Sequence, residues 1–183
     1  MPEPAYSVLE IQPEWVLERE ALGSKRKFWY RATEDEPQWL FKYPQPNAGQ
    51  HWSEKIAAEV AAGLEILHAR VELAVFQGTR GSATESFARE GRNLFHGNQI
   101  LAGAIFWDRS DKRGLSPLEL VRRAAGLHPE LFQSALARLE RLDRQGLETI
   151  VGRVPGAWMT PLAREFAVEL MCYNTEQLRR IAP

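Results

Sequence analysis

Lys42 closes the aromatic-rich run Trp39-Leu40-Phe41, and two carboxylates, Glu54 and Glu59, follow it after a loop. The run suits a strand, and Pro44, Pro46, Asn47 and Gly49 end it with loop chemistry. Ser53 is the expected N-cap of a helix, in which Ile56, Val60 and Leu64 recur at i, i+4 and i+8 as one buried stripe. A lysine on a strand against a glutamate on the next helix is suited to holding the phosphates of a nucleotide. The ammonium meets phosphate oxygens, and the carboxylate keeps it in place. The same residues also describe a solvated lysine and ordinary surface glutamates. Upstream, Gly23-Ser24-Lys25-Arg26-Lys27 is a basic turn. Its glycine lets backbone amides approach a phosphate and its lysines add charge. Alone it is only a turn; its place one strand before Lys42 gives it weight.

These residues need elements to position them. Tyr6 to Ile11 reads as a first strand, and Trp15 to Leu22 as a helical turn or irregular strand. Phe28 to Arg31 is a strand, Glu34-Asp35-Glu36-Pro37 a hairpin-like turn, and Trp39 to Tyr43 the return strand. Ala69 to Phe76 alternates as a half-exposed strand does. Gly78 and Gly81 punctuate a turn before a pairing strand from Ser82 to Phe87. After Gly103 the character becomes helical. Ser116-Pro117-Leu118-Glu119 is a capping box with proline at the first helical position. Pro129 opens a helix with the stripe Leu131, Phe132, Ala135, Leu136, Leu139 and Leu142, stopped by Gly146. Leu147 to Val151 is a short piece, and Thr160-Pro161 starts a last helix with Leu162, Phe166 and Leu170 on one face.

Composition narrows the function classes. The 183 residues are 44% hydrophobic and 26% charged, so a packed domain or two small lobes is expected. The net charge is −1 with both signs interleaved, which recommends neither nucleic acid nor an anionic membrane. The single cysteine, Cys172, leaves no internal disulfide or multi-cysteine metal site. His51, His68, His96 and His128 have no metal-ligand spacing. No apolar run approaches the ~20 residues of a membrane span. The start, with Pro2, Glu3 and Pro4, is unlike a signal peptide, and a cytoplasmic location is expected.

Several stretches together resemble the HipA-like kinases, bacterial serine/threonine kinases of which some are toxins of toxin–antitoxin pairs. They are Gly23 to Tyr30, Trp39 to Pro44, His51 to Glu59, Phe95-His-Gly-Asn-Gln-Ile-Leu-Ala-Gly103, Leu115 to Ala125 and the last helix with Tyr173-Asn174. The resemblance implies a phosphate-binding turn at Gly23, Ser24, Lys25 and Lys27, and an ATP-binding lysine at Lys42. It also implies a helix carboxylate for that lysine and an adenine hinge near Glu85, Ser86 and Phe87. Spacing leaves Glu54 and Glu59 both open. Glu59 is preferred, because a first-turn Glu54 is accounted for by the helix dipole.

The family carries a catalytic loop resembling Asn-x-Asp-Arg-His-x-x-Asn and then a metal-binding Asp motif. Here Gly103 leads almost directly into Ile105-Phe106-Trp107 and the terminal helices. The aspartates are Asp35, Asp108, Asp111 and Asp143, none with His and Asn at loop spacing. Phosphoryl transfer needs a positioning carboxylate and Mg²⁺ ligands. The expectation is an α+β protein: a kinase-like N-terminal lobe of small antiparallel sheet plus one helix over 1–103, then an all-helical remnant of the C-terminal lobe over 104–183. Its function would be that of a pseudokinase, a nucleotide- or protein-binding regulator with weak ATP binding, no catalytic residue and no Mg²⁺ site. A protein partner or a homodimer through the terminal helices is expected, with no nucleic acid and no membrane. The alternative is an active HipA-like ATP-dependent kinase whose missing segment comes from another chain or lies outside this sequence.

Overall fold

A computed structural model of the chain describes residues 3–19, 26–86 and 115–181. Two compact units are present: 1–87 with 144–168, and 88–143 with 169–183. The expected boundary near residue 103 lies outside the described residues.

In the first unit the strands are β1 (Val8–Ile11), β2 (Val16–Arg19), β3 (Lys27–Tyr30), β4 (Trp39–Lys42), β5 (Val71–Phe76) and β6 (Thr79–Glu85). They form one sheet in the order β1-β5-β6-β4-β3-β2. All pairs are antiparallel except β1 with β5, which is parallel, so the sheet is mixed rather than purely antiparallel. A short 3-10 turn, Pro13–Trp15, joins β1 to β2, resolving the irregular stretch expected there.

Strand side chains alternate between faces, and that period decides what Lys42 can reach. Phe28, Tyr30, Trp39, Phe41, Ala74 and Ala83 form the buried aromatic cluster on one face. Lys42, one residue after Phe41, therefore points to the opposite face. Gly81 lies inside β6 and not in the turn, which is Gln77-Gly78 with φ of 48° and 75°. A Cβ on Gly81 would sit 2.4 Å from the Phe41 ring and 2.5 Å from the Lys42 carbonyl oxygen. Glycine here lets β6 lie close against β4.

Helix α1 (Gln50–Gly63) follows β4 and buries Ile56 and Ala58. It begins three residues before the expected N-cap: Gly49 holds that position, and the Ser53 hydroxyl donates to the Gln50 carbonyl at 3.1 Å. Its end is a Schellman turn, with the Ile66 amide on Ala61 O at 2.8 Å and Glu65 at φ 54°.

The remaining helices are α2 (Pro117–Leu127), α3 (Pro129–Ala137), α4 (Arg144–Gly152) and α5 (Pro161–Arg179). The Ser116/Glu119 capping box forms as expected, with the Ser116 amide on Glu119 Oε2 at 2.9 Å. The Ser116 hydrogen bonds hold the Glu119 carboxyl below its usual range. The helix expected to run to Gly146 ends earlier. After α3 a 3-10 turn, Arg138–Arg141, buries Leu139, and Arg179 Nη2 donates to the Leu139 carbonyl at 3.0 Å. Gly146 falls within α4. In the first unit Arg164 closes α4, donating to the carbonyls of Val151 at 2.7 Å and Val154 at 2.5 Å. On α5 the buried side is Ala167, Val168 and Thr175, while Leu162, Phe166, Leu170 and Tyr173 are exposed.

Candidate nucleotide-binding site

The register places Lys27 opposite Lys42 across β3 and β4, and Lys42 opposite Ser82 across β4 and β6. Three polar side chains thus form a row across three neighbouring strands, on the face that α1 approaches. Two lysines directly opposite each other repel, so this row calls for an anion.

Glu54 supplies one. Its Oε2 accepts from Lys42 Nζ at 3.1 Å and from Ser82 Oγ at 2.8 Å. The Lys42 and Glu54 side chains are each 27% exposed, whereas Ser82 is 2% exposed. Lys42, Tyr43, Gln50, His51, Glu54 and Ser82 line a tight crevice with essentially no room for a water-sized group. Ligand pockets generally run to ~300–1,000 Å³, so this crevice is not by itself a nucleotide cleft.

Glu59, the preferred partner by sequence, does not meet Lys42. Five residues along an α-helix turn about 140°, which carries Glu59 to another neighbour. Its Oε1 lies 2.7 Å from Lys55 Nζ, which also meets Glu72 Oε2 at 3.0 Å. Lys55 is 6% exposed and stands 4.8 Å from the Tyr6 ring centroid. A buried ammonium needs such partners. Arg153, in the turn just after α4, joins the cluster, 3.1 Å from Glu3, 3.9 Å from Glu59 and 4.3 Å from the Tyr6 ring. Burial, and then the Glu59 charge, push the Tyr6 phenol well above its ordinary value. The helix dipole would account for Glu54 only in a helix that starts at Ser53. With α1 starting at Gln50, Glu54 lies a full turn in, where the dipole's effect has largely faded.

Gly23, Ser24, Lys25 and Phe87 lie outside the described residues, as do Asp108 and Asp111. At the expected hinge, Glu85 ends β6 opposite Trp39. Its amide donates to Arg70 O at 2.9 Å and the Ser86 amide donates to Gln38 O at 2.8 Å, so both amides are already used by the sheet. Among the described residues no three His, Cys, Asp or Glu side chains converge as a metal-ligand set. Among those residues, too, no helix is long and apolar enough to cross a membrane.

Sequence reasoning missed Ser82, Lys55 and His51 as members of this region. Lys55 carried a signal, since a lysine beside Ile56 on the inward side of a helix demands acidic partners. His51 sits at the start of α1 with its ring 5.4 Å from that of Trp158, and its Nδ1 is buried without a partner. Burial and the nearby Arg80 hold its imidazole below the usual 6.5, opposed by a hydrogen bond with the Trp158 backbone. Arg80 reaches the same loop, donating to the Ala157 carbonyl and stacking over Trp158.

No family model matches the chain, and no curated protein matches it. A solved structure does: that of a Helicobacter pylori proinflammatory kinase, CtkA, with a TM-score of 0.54 at 10% sequence identity. The match covers 96% of this chain and 96% of that chain. At such identity the likeness concerns the fold alone, and the fold is kinase-like: a curled six-stranded sheet with an inserted helix, followed by a helical C-terminal segment.

Proposed function

We propose that this chain is a HipA-like, kinase-derived protein that binds nucleotide weakly through Lys42 and does not transfer phosphate. The observation that carries the reading is the Lys42–Glu54 pair at 3.1 Å, joining a sheet lysine to the inserted helix of a kinase-like fold. In that arrangement the lysine faces the phosphates while the carboxylate fixes its direction. The basic turn from Gly23 to Lys27 adds backbone amides and charge, with Lys27 beside Lys42 in register. Loss of catalysis follows from the sequence, which has no Asn-x-Asp-Arg-His-like loop. Kinase rates come from positioning and electrostatics, and acid–base help alone is worth ~10²–10⁴. The reading extends to a bacterial cytosolic protein of the toxin–antitoxin type, with a protein partner or second copy meeting the terminal helices. The exposed Leu162, Phe166, Leu170 and Tyr173 of α5 support that last element.

The test is calorimetric titration with ATP, with and without Mg²⁺, on wild type and Lys42→Ala. Millimolar-range affinity, lost in the variant and indifferent to Mg²⁺, is expected. Micromolar Mg²⁺-dependent binding would contradict the reading. A second reading, an active kinase, is favoured by the coverage of 96% of a solved kinase chain. Transfer of label from γ-labelled ATP to protein, absent in Lys42→Ala, would establish that second reading instead.

A further inference from the structure

We propose that Ser82 is a positioning residue that fixes the Glu54 carboxylate against Lys42 before any ligand arrives. The proposal deepens the nucleotide reading, since it concerns the same lysine. It rests on three observations. Ser82 and Lys42 are cross-strand partners, so their side chains share a face. Both donate to one oxygen, Glu54 Oε2, at 2.8 Å and 3.1 Å. Ser82 is almost fully buried, whereas the Lys42 and Glu54 side chains are partly open to water.

The physical consequence follows from that asymmetry. A partly exposed ion pair gains little and exchanges readily with water and salt. A buried hydroxyl has no such alternative: its proton must find a protein acceptor or go unsatisfied. A hydrogen bond from it to a carboxylate is charge-assisted and short. Glu54 is therefore held by the sheet itself, through β6, and not only by the lysine it serves. A phosphate arriving at Lys42 then meets an ammonium already aimed, and does not have to win it from a wandering carboxylate.

The experiment reads the environment of Lys42 directly. The full-length chain is given a brief pulse of an amine-acylating reagent, and modification is quantified by peptide mass spectrometry. Lys27 and Lys55 serve as internal references. Ser82→Ala should raise acylation of Lys42 by about tenfold, the equivalent of one charge-assisted hydrogen bond. Glu54→Gln should raise it as much, and the double variant no further. Ser82→Thr, which keeps the hydroxyl, should protect Lys42 as wild type does. A merely structural role for Ser82 would instead raise labelling at Lys27 and Lys55 together with Lys42. That outcome overturns the proposal, as does unchanged Lys42 labelling in Ser82→Ala. Circular dichroism and melting confirm that each variant is folded. If the wild type binds no ATP, the nucleotide reading falls while the labelling result still decides the role of Ser82.

Discussion

Exchanging each of the two α1 carboxylates for its amide separates the roles that spacing left open. Glu59→Gln removes one of the two anions around Lys55, whose side chain is 7% exposed and whose ammonium is 2.7 Å from Glu59. Removing a partner from a buried pair costs ~3–5 kcal/mol when the charge is left alone. Here Glu72 remains at 3.0 Å, and an amide oxygen can still accept a hydrogen bond, so about 2 kcal/mol is expected. Arg153 loses a more distant partner at 3.9 Å, which adds little. For a chain of this size that corresponds to a fall in melting temperature of about 4–8 °C. Glu54→Gln breaks a pair whose side chains are both 27% exposed, and its amide oxygen can still accept from the buried Ser82 hydroxyl, so its effect on stability should stay below about 1 kcal/mol. Its effect on ATP affinity should be a loss of up to about fivefold, while Glu59→Gln leaves affinity unchanged. Thermal unfolding by circular dichroism and calorimetric titration measure the two quantities on the same preparations. A larger melting shift for Glu54→Gln than for Glu59→Gln would refute the assignment, as would loss of affinity only in Glu59→Gln.

Other outcomes follow from particular contacts. Arg164→Ala strips the guanidinium from the carbonyls of Val151 and Val154 at the end of α4, and should cost about 2–3 kcal/mol in a denaturant titration. Gln77→Asn relieves a left-handed residue in the β5–β6 turn, where φ is 48°, and should raise the denaturation midpoint by the equivalent of about 0.5 kcal/mol. His51 is held neutral, with its folded value below the ordinary 6.5, so the unfolded chain binds the proton more readily. Its contribution to stability is therefore complete above pH 6.5 and declines as pH falls from there toward the lowered folded value. The melting temperature should drop across that window in wild type and less so in His51→Phe, which keeps a ring against Trp158.

Local chemistry alone sets several features of this chain. The aromatic strand ending in Lys42, the prolines and glycine that end it, the capping box at Ser116 and Glu119, and the start of α5 at Pro161 all follow from neighbours in the chain. Alternation along Trp39 to Lys42 also put Lys42 opposite the aromatic core, because a strand's period is two whatever surrounds it. The tertiary structure decided the rest. Which glutamate meets Lys42 depends on where α1 begins and on what its other side packs against. Glu59 was taken by Lys55 of the same helix, with Arg153 nearby from a turn more than eighty residues further along the chain. Ser82 reads as an ordinary strand serine until β6 is laid beside β4 in register. The parallel pairing of β1 with β5 is likewise invisible in either strand, since a ladder's direction belongs to the pair. On α5 the largest apolar side chains defined a stripe, yet the helix buries Ala167 and Val168 and leaves Leu162 and Phe166 outside. Periodicity marks which residues share a face. Only packing selects which face is covered.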